Sequence, residues 1–158
     1  MIEYKWNPET HTATCIFSID NVKYVGTAIC HPTDLDFESE KTGQSIAIMR
    51  AQVKICQAFV KNNLKPRLAA LNQLYYSMNQ SKKFNPDSYE NKMLQRQIQL
   101  TKNQLTIVKE EIANKKQEIK DYINQKDEFY KTLRANRNKT KTNTPGRGFR
   151  AKMDNLIY

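Results

Sequence analysis

The sequence predicts an α+β fold, with a small N-terminal antiparallel β-sheet followed by a helical hairpin and a long C-terminal coiled-coil-like helix. Three observations indicate it. Residues 1–30 are rich in β-branched and aromatic side chains. Residues 36–80 carry apolar side chains three and four positions apart, and residues 86–134 contain no Gly and no Pro after the first position. At 158 residues, we expect a single domain over 1–135 and a tail over 136–158.

The N-terminal sheet is predicted from two adjacent strand-like segments, Thr12–Ile19 and Val22–Ile29. Between them stands Asp20-Asn21, a plausible two-residue turn because both residues tolerate positive φ. Met1–Trp6 adds a third strand. A sheet this small is marginal alone, so we expect helices to cover one of its faces.

Two helices are predicted within residues 36–80. The first begins near Asp36 or Ser39 and is expected to end at Asn62-Asn63, before the second helix from Pro66 to Met78. The apolar stripe of the first helix consists of Ile46, Met49, Val53, Cys56 and Val60.

The long helix is predicted over residues 86–134, with Asn85 as its N-cap and Pro86 at its first position. Its seam positions alternate in steps of four and three: Leu94, Ile98, Thr101, Leu105, Val108, Ile112, Lys115, Ile119, Tyr122, Lys126, Phe129 and Leu133. Such a helix spans about 74 Å, whereas a compact chain of this size has a radius of gyration of about 15 Å. The helix therefore either breaks and folds back or projects and pairs with another copy. Since no Gly or Pro marks a break, we expect it to pair, giving a homo-oligomer of dimer size or larger. An antiparallel scaffold with no chemistry of its own is the ordinary alternative for this helix.

Charge favours an anionic partner. The formal net charge is +10, from 26 Lys and Arg against 16 Asp and Glu. Six basic residues and one acid lie in 136–158, a segment too polar to order itself. A basic surface of this kind suits a nucleotide, nucleic acid or an acidic protein. Because no signal peptide opens the chain and no apolar run is long enough to span a membrane, we expect a cytoplasmic protein with reduced thiols.

No catalytic signature is present, so we expect a binding protein rather than an enzyme, with no cofactor. Phosphate loops, zinc-protease motifs and nucleophile elbows are all absent from the sequence. Cys15, Cys30 and His31 are soft ligands that strand pairing would bring together, but paired metal-ligand motifs are lacking, and buried apolar cysteines are the commoner case. Asp34, Asp36 and Glu38 could supply carboxylates for a metal, but they lie at a predicted helix start, where acids are favoured without any metal.

The strongest candidate for a ligand site is the start of the long helix. Phosphate binds well to the free N–H groups there, an aromatic ring can stack a base, Asn can read a base edge, and Arg can fork onto a phosphate. Arg50 and Lys54 lie four apart on the first helix, and Arg67 opens the second, so they would join a shared pocket if the helices fold back on the long one. The candidate ligand-binding residues are Phe84, Asn85, Arg96, Asn91, Lys82, Lys83, Lys92 and Arg50. An ordinary alternative is a core Phe84 beside a solvated basic loop.

Four runs resemble the first type of phage anti-Thoeris sponge. They are AICHPTDLDFESEKTG (28–43), ALNQLYYSMN (70–79), FNP (84–86) and SYENK (88–92). The likeness spans about residues 13–134 and omits the basic tail.

The resemblance implies a phage protein for host defence evasion that sequesters glycocyclic ADP-ribose, a nucleotide immune signal, without cleaving it. It also implies dimers or higher oligomers, with pockets at subunit interfaces and separate sites for cyclic oligonucleotides in some members. Phe84 would be the stacking ring. The family's arginines have no clear counterparts here, since the helix after Arg96 carries Lys at 102, 109, 115 and 116, and Lys does not reproduce a bidentate Arg contact.

The alternative is a nucleic-acid-binding phage protein or CRISPR inhibitor that uses the basic tail and the coiled coil. Basic Gly-Arg tails bind phosphate backbones without a fold of their own. Deleting 136–158 separates the two hypotheses.

Overall fold

The computed structural model describes residues 1–30, 39–81 and 85–142, with the backbone alone for 139–142. It confirms the α+β fold. A three-stranded antiparallel sheet in the order β1-β2-β3 is followed by helices. The strands are β1 (Ile2–Asn7), β2 (Thr12–Ile19) and β3 (Val22–Ile29), close to the predicted segments.

Turn chemistry fixes the sheet. Asp20 and Asn21 have φ of 47° and 63°, which confirms the predicted two-residue turn between β2 and β3. Before β2, the Asn7 Oδ1 atom accepts hydrogen bonds from the N–H groups of Glu9 (2.9 Å) and Thr10 (3.2 Å), an Asx turn that reverses the chain.

The register determines which groups of β3 point outward. Ser18 N–H donates to the Met1 carbonyl at 2.9 Å, and the Met1 amine donates to the Ser18 carbonyl at 3.2 Å, so Ser18 bonds towards β1. The N–H and C=O groups of successive residues point to opposite sides of a strand. Cys15, three residues from Ser18, therefore points these groups towards β3, where its partner is Gly26. Val25 and Thr27, on either side of Gly26, therefore point their N–H and C=O groups away from the sheet.

Helix α1 (Glu40–Phe59) is capped by Ser39, whose Oγ accepts from Thr42 N–H at 3.3 Å. This confirms one of the two predicted starts; the other, Asp36, lies outside the described residues. The helix covers the sheet through small side chains, as Gly26 meets the backbone of α1. The fully or nearly buried core residues are Ala13, Cys15, Ala28, Ala47 and Ala51.

The predicted break at Asn62-Asn63 is wrong, and so is the predicted hairpin between the two helices. The chain stays helical through a π-helical turn, Val60–Leu64, and continues as α2 (Lys65–Asn79). Lys65 N–H donates to the Val60 carbonyl, five residues back. Pro66 stands in the first turn of α2, where its missing N–H costs little. A single wide turn therefore accommodates the proline without ending the helix.

Helix α3 (Tyr89–Thr142) begins later and ends later than predicted. Its N-cap is Ser88, whose Oγ accepts from Asn91 N–H at 3.3 Å. Asn85 instead makes an Asx turn, accepting from Asp87 N–H at 2.9 Å. Residues 136–142 of the predicted tail are helical, and 143–158 lie outside the described residues.

The contacts divide the chain into two units, 1–122 and 123–158. In the first, α3 runs antiparallel to the preceding helices. Gln95 Nε2 donates to the Tyr75 hydroxyl at 3.0 Å, and an Arg67 N–H donates to Gln97 Oε1 at 3.2 Å. The seam residues Leu94, Ile98, Thr101 and Ile119 are all buried in this chain alone. Over this part the long helix therefore packs against its own chain without a break.

In the second unit, the seam prediction fails at one position. Phe129 is 56% exposed, although it was predicted to lie in the seam. Its ring lies 5.8 Å from that of Tyr130, centroid to centroid. The less exposed positions here are Ile123, Lys126, Asp127, Tyr130, Leu133 and Arg134, so the stripe shifts by about one residue relative to the heptad.

Candidate anion-binding cleft

An open cleft of about 430 Å³ lies between the outer edge of β3, α1 and α3. Its volume is within the usual range for small-molecule sites. It lies wholly within the first unit. The lining residues are Thr27, Arg50, Val53, Lys54, Gln57, Lys116, Ile119 and Lys120.

Four of these residues are cationic. Arg50 and Lys54 lie one turn apart on α1, and Lys116 and Lys120 lie one turn apart on the facing part of α3. No carboxylate belongs to the lining, and none of the four makes a salt bridge within the part of the chain that the structure describes. The cleft therefore holds a cluster of like charges that an anion would neutralise.

The two cations on α1 are anchored to the sheet edge. An Arg50 N–H donates to the Thr27 carbonyl at 2.7 Å, and Lys54 Nζ donates to the Val25 carbonyl at 2.6 Å. Guanidinium and ammonium groups have five and three N–H donors. Each head group is thus oriented by one hydrogen bond and keeps further donors for a ligand.

The floor of the cleft is apolar. Val53 and Ile119 are 7% and 8% exposed and close the gap between α1 and α3. Gln57 adds a neutral amide at one side. An apolar floor beneath converging cations suits a ligand with a flat apolar part and one or more phosphate groups.

The predicted site at the start of α3 is only partly described. Asn85, Asn91 and Lys92 are close together: Asn91 Nδ2 donates to the Asn85 carbonyl, and Lys92 Nζ forms an exposed salt bridge of 3.2 Å with Asp87. Asn91 is 2% exposed, and its Oδ1 has no hydrogen-bond partner among the described residues. Arg96 is exposed. The remaining members of the predicted set, Lys82, Lys83 and Phe84, lie outside the described residues.

Arg50 does not join that group within this chain. It lies beside Ile119, which is 28 residues from Asn91 along α3, or about 42 Å at the helical rise. Arg50 and Lys54 do share a pocket with α3, as the sequence suggested, whereas Arg67 instead contacts Gln97.

Sequence reasoning missed two of the four cationic cleft residues, Lys116 and Lys120. Their signal was an i,i+4 basic pair on α3 matching the pair Arg50 and Lys54 on α1. The pairing partner of α3 and its register had to be known before the two pairs could be related.

Cys15 and Cys56 carry free thiols, and burial raises the pKa of both. Over residues 1–30, 39–81 and 85–138, no group of three His, Cys, Asp or Glu side chains is placed to hold a metal ion. Four residues considered as ligands above lie outside the described residues: His31, Asp34, Asp36 and Glu38.

The chain matches no family model, no curated protein and no solved structure. Within the described residues, no helix is long and apolar enough to cross a membrane.

Proposed function

We propose that this protein binds an anionic nucleotide signal of the cyclic ADP-ribose type and sequesters it without degrading it. The observation that carries the proposal is the cleft with four cationic side chains, no carboxylate in its lining and an apolar floor. The phage-sponge resemblance supplies the class of nucleotide, and a role in host defence evasion in the cytoplasm follows from it.

The cleft is better suited to binding than to bond cleavage. Its described lining contains Lys, Arg, Thr, Gln and apolar residues, without a His, Cys or carboxylate to act as a general base. A cyclic ligand loses little conformational freedom on binding, so a preformed cleft can bind it tightly. Sequestration then depends on affinity and on copy number.

Isothermal titration with glycocyclic ADP-ribose, followed by recovery of the ligand, tests the proposal. We expect saturable binding and intact ligand. A double variant, Lys116→Ala with Lys120→Ala, should weaken binding at least tenfold, since each charged hydrogen bond contributes about 1.5–3 kcal/mol. The matched control is Lys102→Ala with Lys109→Ala, which removes the same charge from exposed positions of α3 outside the cleft. Equal loss in both double variants, or cleaved ligand, would refute the proposal.

The second candidate is nucleic-acid binding through residues 136–158, favoured by their six basic residues and single acid. Deletion of 136–158 should abolish single-stranded DNA binding under this hypothesis and leave cleft binding intact. The salt dependence separates them further, because tail-driven binding falls steeply as salt rises.

A further inference from the structure

The free edge of β3 borders the cleft. Along it, the outward groups follow in order: the carbonyl of Val25, the N–H of Thr27 and the carbonyl of Thr27. Two residues of strand separate the carbonyls by about 7 Å, and the Thr27 N–H lies between them. Lys54 already caps the first carbonyl and Arg50 the second.

The edge is therefore converted from alternating donors and acceptors into donors alone. Both acceptors are occupied by cations, and the Thr27 N–H has no hydrogen-bond partner among the described residues. Three donors thus stand in a row: the Lys54 ammonium, the Thr27 amide and the Arg50 guanidinium. Lys116 and Lys120 face this row from α3.

We infer that this row is a phosphate subsite in which the Thr27 amide donates to one oxygen and the anchored heads of Arg50 and Lys54 donate to oxygens on either side. This inference rests on the proposed function and assigns a backbone contact to it. A tetrahedral oxyanion accepts several hydrogen bonds at once, and charge-assisted bonds are the stronger kind. Fixed amides and anchored cations need little reordering when the anion arrives.

An added β-strand is the other usual occupant of a sheet edge. Here it would have to displace Arg50 and Lys54 from the two carbonyls before it could form a ladder. Cationic side chains on an edge also disfavour strand addition in general. The chemistry of this edge favours an anion over a peptide.

The direct test follows the backbone amides of the full chain by ¹⁵N-¹H NMR during titration with inorganic phosphate, with sodium chloride at equal ionic strength as reference. We expect a saturable downfield shift of the Thr27 amide proton. The Ile29 amide points outward on the same edge beyond the anchored cations, and its chemical shift should not change. A stationary Thr27 amide at phosphate concentrations that saturate the protein would overturn the inference.

Variants give a second readout with ADP-ribose as the titrant. Thr27→Pro removes the outward N–H at a position where an edge strand tolerates proline, and we expect about tenfold weaker binding. Ile29→Pro, the matched control, and Thr27→Val, which keeps the amide, should bind within about twofold of the parent. If Thr27→Pro does not fold, the NMR titration of the parent decides alone.

The outcomes separate the two proposals. Binding that depends on Lys116 and Lys120 but leaves the Thr27 amide unmoved refutes the edge subsite and keeps the sequestration proposal. Absence of binding by every phosphate compound refutes both.

Discussion

Gly26→Ala tests how the sheet and α1 are held together. A Cβ atom added at Gly26 would stand 2.0 Å from the Ala47 carbonyl oxygen and 2.5 Å from the Ala51 nitrogen. Both obstacles are backbone atoms, so no side chain can rotate away. Ordinary van der Waals contact begins at 3.4 Å, so the helix must move away from the sheet by about 1.4 Å.

That displacement would loosen the core cluster, of which Ala13, Cys15 and Ala47 are all 0% exposed. Overpacking a core lowers the free energy of unfolding by about 1–3 kcal/mol, and by more when the backbone must shift. We therefore expect Gly26→Ala to lower the free energy of unfolding by about 3 kcal/mol or more. The whole free energy of unfolding of a protein is only about 5–15 kcal/mol. We therefore expect part of the Gly26→Ala population to be unfolded at room temperature when the total is at the lower end of this range.

Urea unfolding followed by circular dichroism measures the change. Gly43→Ala is the comparison, because its Cβ would meet the Ala13 Cβ at 2.9 Å, which calls for a shift of only about 0.5 Å to reach 3.4 Å, and Ala gains about 1 kcal/mol over Gly within a helix. We expect that variant to stay within about 1 kcal/mol of the parent. If Gly26→Ala did the same, the close helix–sheet contact would be wrong.

Three further predictions concern the helices and the thiols. Ile98→Ala should lower the free energy of unfolding by about 2–5 kcal/mol, because Ile98 is only 8% exposed. Leu100→Ala, at a position 46% exposed, should lower it by under about 1 kcal/mol in the same urea assay. Burial, and to a smaller extent the Glu111 carboxylate, raise the pKa of the Cys56 thiol above 9.0. This raised pKa stabilises the folded state below pH 9.0. The stabilisation is lost as the pH rises through the pKa of the folded state. Cys56→Ala should flatten that alkaline decline in melting temperature. Finally, Lys116→Ala with Lys120→Ala should raise the melting temperature in low salt and leave it unchanged in high salt, because the cleft's like charges repel; a lower melting temperature in low salt would contradict the charge cluster.

The sheet was predictable because its signals are local. Strand composition, the Asp20-Asn21 turn and the short chain reversal after Asn7 each act within a few residues. The contact of Gly26 with Ala47 and Ala51 was not predictable from such signals. Small residues at three separate positions acquire a common role only when the helix crosses the sheet there, and apolar periodicity places more emphasis on the larger side chains, such as Val53.

The heptad pattern of α3 predicted a buried seam but could not name what covers it. A seam is satisfied equally by another copy or by the same chain folded back, and the decisive feature was the continuity of α1 and α2 through the turn at 60–64. A break there would have left no partner long enough for α3. The wide turn instead provides a helical partner from Glu40 to Asn79, and Leu94, Ile98 and Thr101 are buried within the chain.

The same pairing creates the candidate cleft, so the fold and the site have one origin. Antiparallel contact brings Lys116 and Lys120 beside Arg50 and Lys54, residues more than 60 positions away in sequence. Pairing of two copies stays a prediction, but over 94–119 it cannot use the buried seam without separating α3 from α1 and α2 and thereby the two walls of the cleft. An oligomer that keeps the cleft intact must therefore form through other surfaces. Chemical cross-linking of the phosphate-bound protein should then join α3 to α1 within one chain and not between two copies.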